Sequence, residues 1–244
     1  MGDSLEMYRH ARESFPNGPE IYLLVPSSNR MYSAMNHGIR HMSFITSVSN
    51  AFQQKNTNRG LDETKQDLSI ISKLLEENNG LLPNIPKDAS DILVFPKNKI
   101  TSKLYISCIN ECPIAGKIDM DFVLREILFY HKDYLFDELC LSDTCGTLTF
   151  DEYEYLLDAL LYFGIPASKL SLHLHVSDEN RENIQRILWY SFDKRVDKFD
   201  VSLTETGGCS VTMKPGKCLP NLSYDLSYEI IAKYIETCVE HGET

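Results

Sequence analysis

In the segment Ser171–Ser177 (Ser-Leu-His-Leu-His-Val-Ser) two histidines stand one residue apart. Side chains alternate faces along an extended strand, so His173 and His175 share one face while Leu172 and Leu174 take the other. Two imidazoles about 7 Å apart along a strand can converge on one divalent cation if neighbouring strands add oxygen ligands. The plainer alternative is a pair of interior polar residues, hydrogen-bonded to adjacent strands.

Three further residues carry possible chemistry. Asp143, at the end of Glu-Leu-Cys-Leu-Ser-Asp-Thr-Cys-Gly, could orient a ligand or a substrate hydroxyl. It could equally make the turn, because Asp, Thr and Gly favour that bend. Cys209 follows two glycines in Thr-Glu-Thr-Gly-Gly-Cys-Ser and could donate a proton from a mobile loop, or be a structural thiol. Asn221 could offer a carboxamide oxygen to a hard cation, or cap the last helix. Cys108 and Cys112 suggest half of a zinc site, but no second Cys/His pair follows at the required spacing. The run Lys55–Gly60 (Lys-Asn-Thr-Asn-Arg-Gly) lacks the Gly-Lys-Ser/Thr of a phosphate loop, and no Gly-x-Gly-x-x-Gly occurs.

The elements that must position these groups alternate between short β-rich runs and helical patterns, as in a parallel sheet covered by helices. Strands are expected at Ile21–Val25, His41–Ile45, Lys103–Ser107, Glu138–Ser142, Ser171–Val176 and Phe199–Leu203. Leu5–Ser14 reads as a helix. Thr149 and Glu152 form a capping box ahead of Leu156, Leu157, Leu160 and Leu161. Asn180–Ser191 places Ile184, Ile187, Leu188 and Ser191 on one face, and Ile230, Ile231, Tyr234 and Ile235 form another stripe. Gly80–Thr101, with Pro83, Pro86 and Pro96, reads as an inserted surface loop.

The 244 residues suit a single domain (1–244), close to the roughly 250 of one (β/α)₈ barrel. A net charge of −11 argues against nucleic acid or an anionic membrane as partner, since both reward clustered cations. Seven scattered cysteines, no secretory pattern and no long apolar run lead us to expect a cytoplasmic, soluble protein with reduced thiols.

Taken in order, Lys55–Asn58, Ser107–Lys117 (Ser-Cys…Cys-Pro-Ile-Ala-Gly-Lys), Leu141–Gly146, His173–His175, Gly207–Cys209 and Asn221–Leu222 resemble the 3-hydroxy-3-methylglutaryl-CoA (HMG-CoA) lyase family. Met1-Gly2-Asp3 is similar to a segment just after that family's second strand. The resemblance therefore implies an α/β fold of TIM (β/α)₈ type, incomplete, with about six of eight strands and the first two missing. It also implies retro-aldol carbon–carbon cleavage of 3-hydroxy-3-methylglutaryl-CoA to acetoacetate and acetyl-CoA. The implied cofactor is Mg²⁺ or Mn²⁺, held by His173, His175 and Asn221. Asp143 would support substrate or proton transfer, Cys209 would be the mobile-loop acid/base thiol, and Asn56 would contact the acyl-CoA. Related isopropylmalate- and citramalate-type synthases also carry a His-x-His strand, so a Claisen-condensing acyltransferase is a further alternative.

The family's remaining metal carboxylate and its catalytic arginine stand in an Arg-Asp-Gly segment of the first strand, and this chain contains no such segment. Loss of the carboxylate weakens hard-cation affinity, and loss of the arginine removes several kcal/mol of electrostatic stabilisation, roughly. A catalytically inactive relative with a binding or structural role is thus the alternative reading. Six strands also leave two open edges, which a second copy or a partner chain would close.

Overall fold

The computed structural model describes residues 2–79, 99–203 and 219–241. Its elements run α1 (Gly2–Ser14), β1 (Leu23–Leu24), α2 (Ser28–Asn36), β2 (His41–Ser47), α3 (Asn50–Thr57), α4 (Leu61–Asn79) and β3 (Thr101–Ser107). A small antiparallel pair follows, β4 (Glu111–Cys112) and β5 (Gly116–Lys117), then α5 (Met120–Asp133), β6 (Glu138–Ser142) and α6 (Phe150–Tyr162). The chain continues through β7 (Leu170–His173), α7 (Arg181–Asp193), β8 (Phe199–Asp200) and α8 (Tyr224–His241).

All six expected strands join one parallel sheet in the order β1-β2-β3-β6-β7-β8. Each face has its own chemistry. Leu104, Ile106, Leu139, Leu141 and Leu172 point at the helices and are at most 1% exposed. The opposite face carries polar groups in register. Lys103 sits beside Glu138, Tyr105 beside Cys140 and Ser171, and Ser107 beside Ser142, His173 and Asp200. This sheet is curled. Strands are spaced about 4.8 Å apart, so β3 and β8, three positions apart, would stand about 14 Å apart if flat. Yet Nζ of Lys103 on β3 reaches Oδ1 of Asp200 on β8 at 2.6 Å. The architecture is the open, six-stranded part of a (β/α) barrel that the resemblance implied.

Local signals act where the sequence placed them. Thr149 and Glu152 make the reciprocal capping box of α6, and Ile184, Ile187, Leu188 and Ser191 are the buried residues of α7. Three expectations shift. Strand β3 starts at Thr101, at the end of the expected 80–101 loop, where Asn79 clamps the N–H and C=O of Ile100. The rest of that loop lies outside the described residues. On α8 Leu226 and Ile230 are buried and Tyr234 packs its ring against Trp189 and Phe192, while Ile235 is 55% exposed. Strand β7 stops at His173 because its partner changes there. Beyond it, Val176 N–H donates to the Pro220 carbonyl and Leu222 N–H to the Leu174 carbonyl. Residues 219–223 thus run alongside residues 174–176.

Candidate metal and acyl-CoA site

The concave face opens into a cavity of about 410 Å³ at the C-terminal ends of the strands. Its lining includes Asn56, Tyr105, Ser142, His173, His175 and Asn221. The strand-end location is where (β/α) barrels assemble their chemistry.

His173 ends β7, and His175 forms an isolated antiparallel bridge with Asn221. The change of partner after His173 is therefore what carries Asn221 to the histidine pair. The two imidazoles meet edge to face with centroids 5.1 Å apart, closer than the strand repeat alone would give. Nδ1 of His175 lies 3.0 Å from the Leu219 carbonyl, which fixes it as the protonated nitrogen and leaves Nε2 with its lone pair. Burial lowers the pKa of His175 and the neighbouring His173 lowers it further, which favours the neutral form a metal ligand needs. Nδ1 of His173 lies 3.3 Å from Oδ2 of Asp200, within ion-pair distance but out of line for a hydrogen bond.

Asn221 does not cap α8; Ser223 Oγ does so, accepting from Leu226 N–H. The Oδ1 atom of Asn221 is buried with no hydrogen-bond partner. A carboxamide oxygen left unpaired in a polar cavity costs on the order of 1–3 kcal/mol, a cost that a ligand accepting its lone pair would offset. Two imidazoles and this oxygen fit a divalent cation in donor type. Among the described residues no cluster of three or more His, Cys, Asp or Glu is arranged around a metal, so the set contributes no carboxylate.

Asp143 is placed differently. It is fully buried, and its carboxylate accepts from the N–H groups of Thr147 and Leu148, organising the loop between β6 and α6. Burial raises its pKa to about 6 although those N–H groups oppose the shift. The neighbouring Ser142 and Thr144 line the cavity in its place. The loop it shapes packs on His175. Gly146 has φ +66°, and a Cβ there would lie 2.8 Å from Leu219 Cδ1 and 3.3 Å from the His175 carbonyl oxygen. Asn180 ties the two together by donating to the carbonyls of Gly146 (2.9 Å) and His175 (3.0 Å).

Asn56, on α3, stands at the rim of this cavity and of a second one of about 400 Å³ that also contains Arg30 and Arg59. Cys209 lies outside the described residues. Cys108 and Cys112 are buried thiols, and Cys112 Sγ accepts from Ser49 Oγ at 3.0 Å.

The structure also gathers groups that the sequence reading passed over. Asp200 is engaged by Lys103 and lies beside His173, and Lys103 also pairs with Glu138 at 3.0 Å. Burial opposes the charge on Asp200, but the His173 ring, the Lys103 ammonium and the Tyr105 hydroxyl outweigh it and hold its pKa at about 2. Strand parity was the available signal. Lys103 and Tyr105, Glu138 and Cys140, and Ser171 and His173 each occupy alternate positions of their strands, all polar or polarisable, opposite leucines or isoleucine.

Over 219 residues the chain is 27% identical to the hydroxymethylglutaryl-CoA lyase YngG of Bacillus subtilis, covering 89% of the chain and 64% of that protein. Against the human mitochondrial hydroxymethylglutaryl-CoA lyase it is 24% identical over 209 residues, 86% of the chain and 56% of the relative. The chain is similar to the hydroxymethylglutaryl-CoA lyases. It spans less than two thirds of the length of each of these two proteins. The crystal structure of the Pseudomonas aeruginosa hydroxymethylglutaryl-CoA lyase superposes with a TM-score of 0.67 at 19% identity, over 90% of this chain and 64% of that one. An HMG-CoA lyase from Acinetobacter baumannii, solved with coenzyme A and 3-methylmalate, gives 0.68 at 17%, over 99% and 69%. These likenesses establish the shared fold. No family model matches the chain. Among the described residues no helix is long and apolar enough to cross a membrane.

Proposed function

We propose that this chain, as a single domain, is a divalent-metal-dependent carbon–carbon lyase acting on an acyl-CoA of the 3-hydroxy-3-methylglutaryl type, giving acetoacetate and acetyl-CoA. The observation that carries the reading is the convergence of His173, His175 and the unpaired Oδ1 of Asn221 on one cavity wall. When bound, Mg²⁺ or Mn²⁺ would polarise the substrate's hydroxyl and carbonyl oxygens. His173 and His175 offer it their Nε2 atoms, and Asn221 its Oδ1. Asp143, its carboxylate accepting from the N–H groups of Thr147 and Leu148, holds the Cys145–Leu148 loop against His175 and so would support the substrate site through that loop. Asn56, at the rim of the cavity, is assigned the acyl-CoA contact, and Cys209 the acid/base thiol on the strength of the Gly-Gly-Cys motif.

A binding role without turnover is the second reading, favoured by one observation. Lys103, the ammonium on the concave face beside this site, is already engaged by Glu138 and Asp200, so it is not free to face a developing enolate oxygen. Incubating folded protein with Mn²⁺ and HMG-CoA separates the two. Acetoacetate release that disappears in His173→Ala supports the lyase. Mn²⁺ and CoA binding without product supports the second reading, and loss of neither binding nor turnover in His173→Ala would remove the metal from both.

A further inference from the structure

We infer that Asp200 is the positioning residue of the site: held by Lys103, it keeps the His173 proton on Nδ1 and so leaves Nε2 free to bind a cation. The inference rests on the metal reading above for its consequence, though not for its geometry.

His175 is the simpler of the two histidines. Its Nδ1 faces a backbone carbonyl, an acceptor that cannot change its role, so its tautomer is set by the fold. His173 has no such carbonyl. Its Nδ1 instead lies 3.3 Å from Oδ2 of Asp200. A carboxylate accepts and cannot donate, so a neutral ring beside it favours the proton on that side. The His173 ring also makes edge-to-face contacts with Tyr105 and with His175.

Asp200 can perform this role because it is itself fixed. Strand β8 contributes only Phe199 and Asp200, and Asp200 lies in register with His173. Its other oxygen is held at 2.6 Å by Nζ of Lys103, which reaches across the curl of the sheet. Lys103 in turn is locked by Glu138 at 3.0 Å, and Glu138 accepts from Ser171 Oγ at 2.6 Å. The chain Ser171–Glu138–Lys103–Asp200 therefore ends on the imidazole. The groups beside Asp200 are cationic, aromatic or thiol, with Cys140 Sγ 3.9 Å from Oδ2. An outer carboxylate on a ligating histidine orients the ring and raises its basicity; removing one typically costs 10–100-fold in metal affinity. Sequence alone hides the arrangement, because Asp200 is 27 positions from His173 and 97 from Lys103.

The test uses ¹⁵N-labelled full chain above neutral pH, reading histidine tautomers by two-bond ¹H–¹⁵N correlation, with Mn²⁺ affinity by calorimetry alongside. In the wild type, His173 and His175 should both carry the proton on Nδ1. In Asp200→Asn, whose amide can donate as well as accept, His173 alone should lose its preference for that tautomer. Mn²⁺ binding should then weaken by about 10–100-fold. An Nε2–H tautomer of His173 in the wild type overturns the inference, and so does an unchanged tautomer in the variant. If Asp200→Asn does not fold, the wild-type tautomer alone decides. A wild type with the expected tautomers that binds no Mn²⁺ upholds the positioning role and removes the metal reading instead.

Discussion

The two faces of this sheet are made by the same strands and obey opposite rules. On the helix side, Leu104, Ile106, Leu139, Leu141 and Leu172 are closed off from water and need only fill space. On the concave side, Lys103, Glu138, Asp200 and His173 are partly covered, charged or ionisable, and each depends on a particular neighbour. Apolar burial is non-directional and tolerates repacking, whereas a buried charge is stable only with its partner in place. The helix side therefore specifies that the chain folds, and the concave side specifies what it can bind.

Truncation on each side sharpens the contrast. Leu141→Ala, on a fully buried side chain, should cost roughly 2–5 kcal/mol in urea unfolding and leave Mn²⁺ affinity per folded molecule unchanged. His173→Ala should cost roughly 1 kcal/mol or less and abolish Mn²⁺ binding. Equal stability costs, or metal loss in the leucine variant, would break the distinction.

Two aspartates, Asp143 in the β6–α6 loop and Asp200 on the concave face, should respond to pH with opposite sign. Burial raises Asp143 from 3.8 to about 6, so the folded state retains a proton that the unfolded chain releases. Its contribution is fully present below pH 3.8 and is lost as pH rises through about 6, a span on the order of 3 kcal/mol. Unfolding of wild type and Asp143→Asn at intervals across that range should show the slope in the wild type and its absence in the variant. Asp200 is lowered from 3.8 to about 2, so its contribution is present above 3.8 and is lost as pH falls through about 2. That loss is on the order of 2 kcal/mol, and acid unfolding of wild type against Asp200→Asn would measure it.

A smaller effect probes how the loop supports the site. Gly146→Ala meets both a positive φ and a Cβ contact of 2.8 Å with Leu219, and should cost roughly 1–2 kcal/mol while weakening Mn²⁺ binding by moving His175. Thr149→Ala, which removes only the α6 cap, should cost about 1 kcal/mol in thermal or urea unfolding and leave the metal titration unaltered.

Much of this architecture was legible in the chain. The six strands, the capping box at Thr149 and the buried stripe of α7 follow from alternation, local hydrogen bonding and helical periodicity, all carried by residues a few positions apart. The His-x-His pair was readable for the same reason. Less visible were strand ends, because β7 stops at His173 only when residues 219–223 arrive beside it. The carboxylate of Asp143 was readable as ligand or as turn-maker, and its placement among the N–H groups of its own loop shows the second geometry.

The sequence by itself determined the alternation of strands and helices, the apolar helix-facing positions and the two histidines on one side of a strand, since each is a matter of local backbone geometry. The family resemblance had grouped Asn221 with those histidines, and the fold sets it beside His175; tertiary structure alone decided that Lys103 and Asp200 meet across the sheet. The reason is physical. Curling and a change of strand partner bring together side chains separated by tens of residues, and no local periodicity records where a sheet bends.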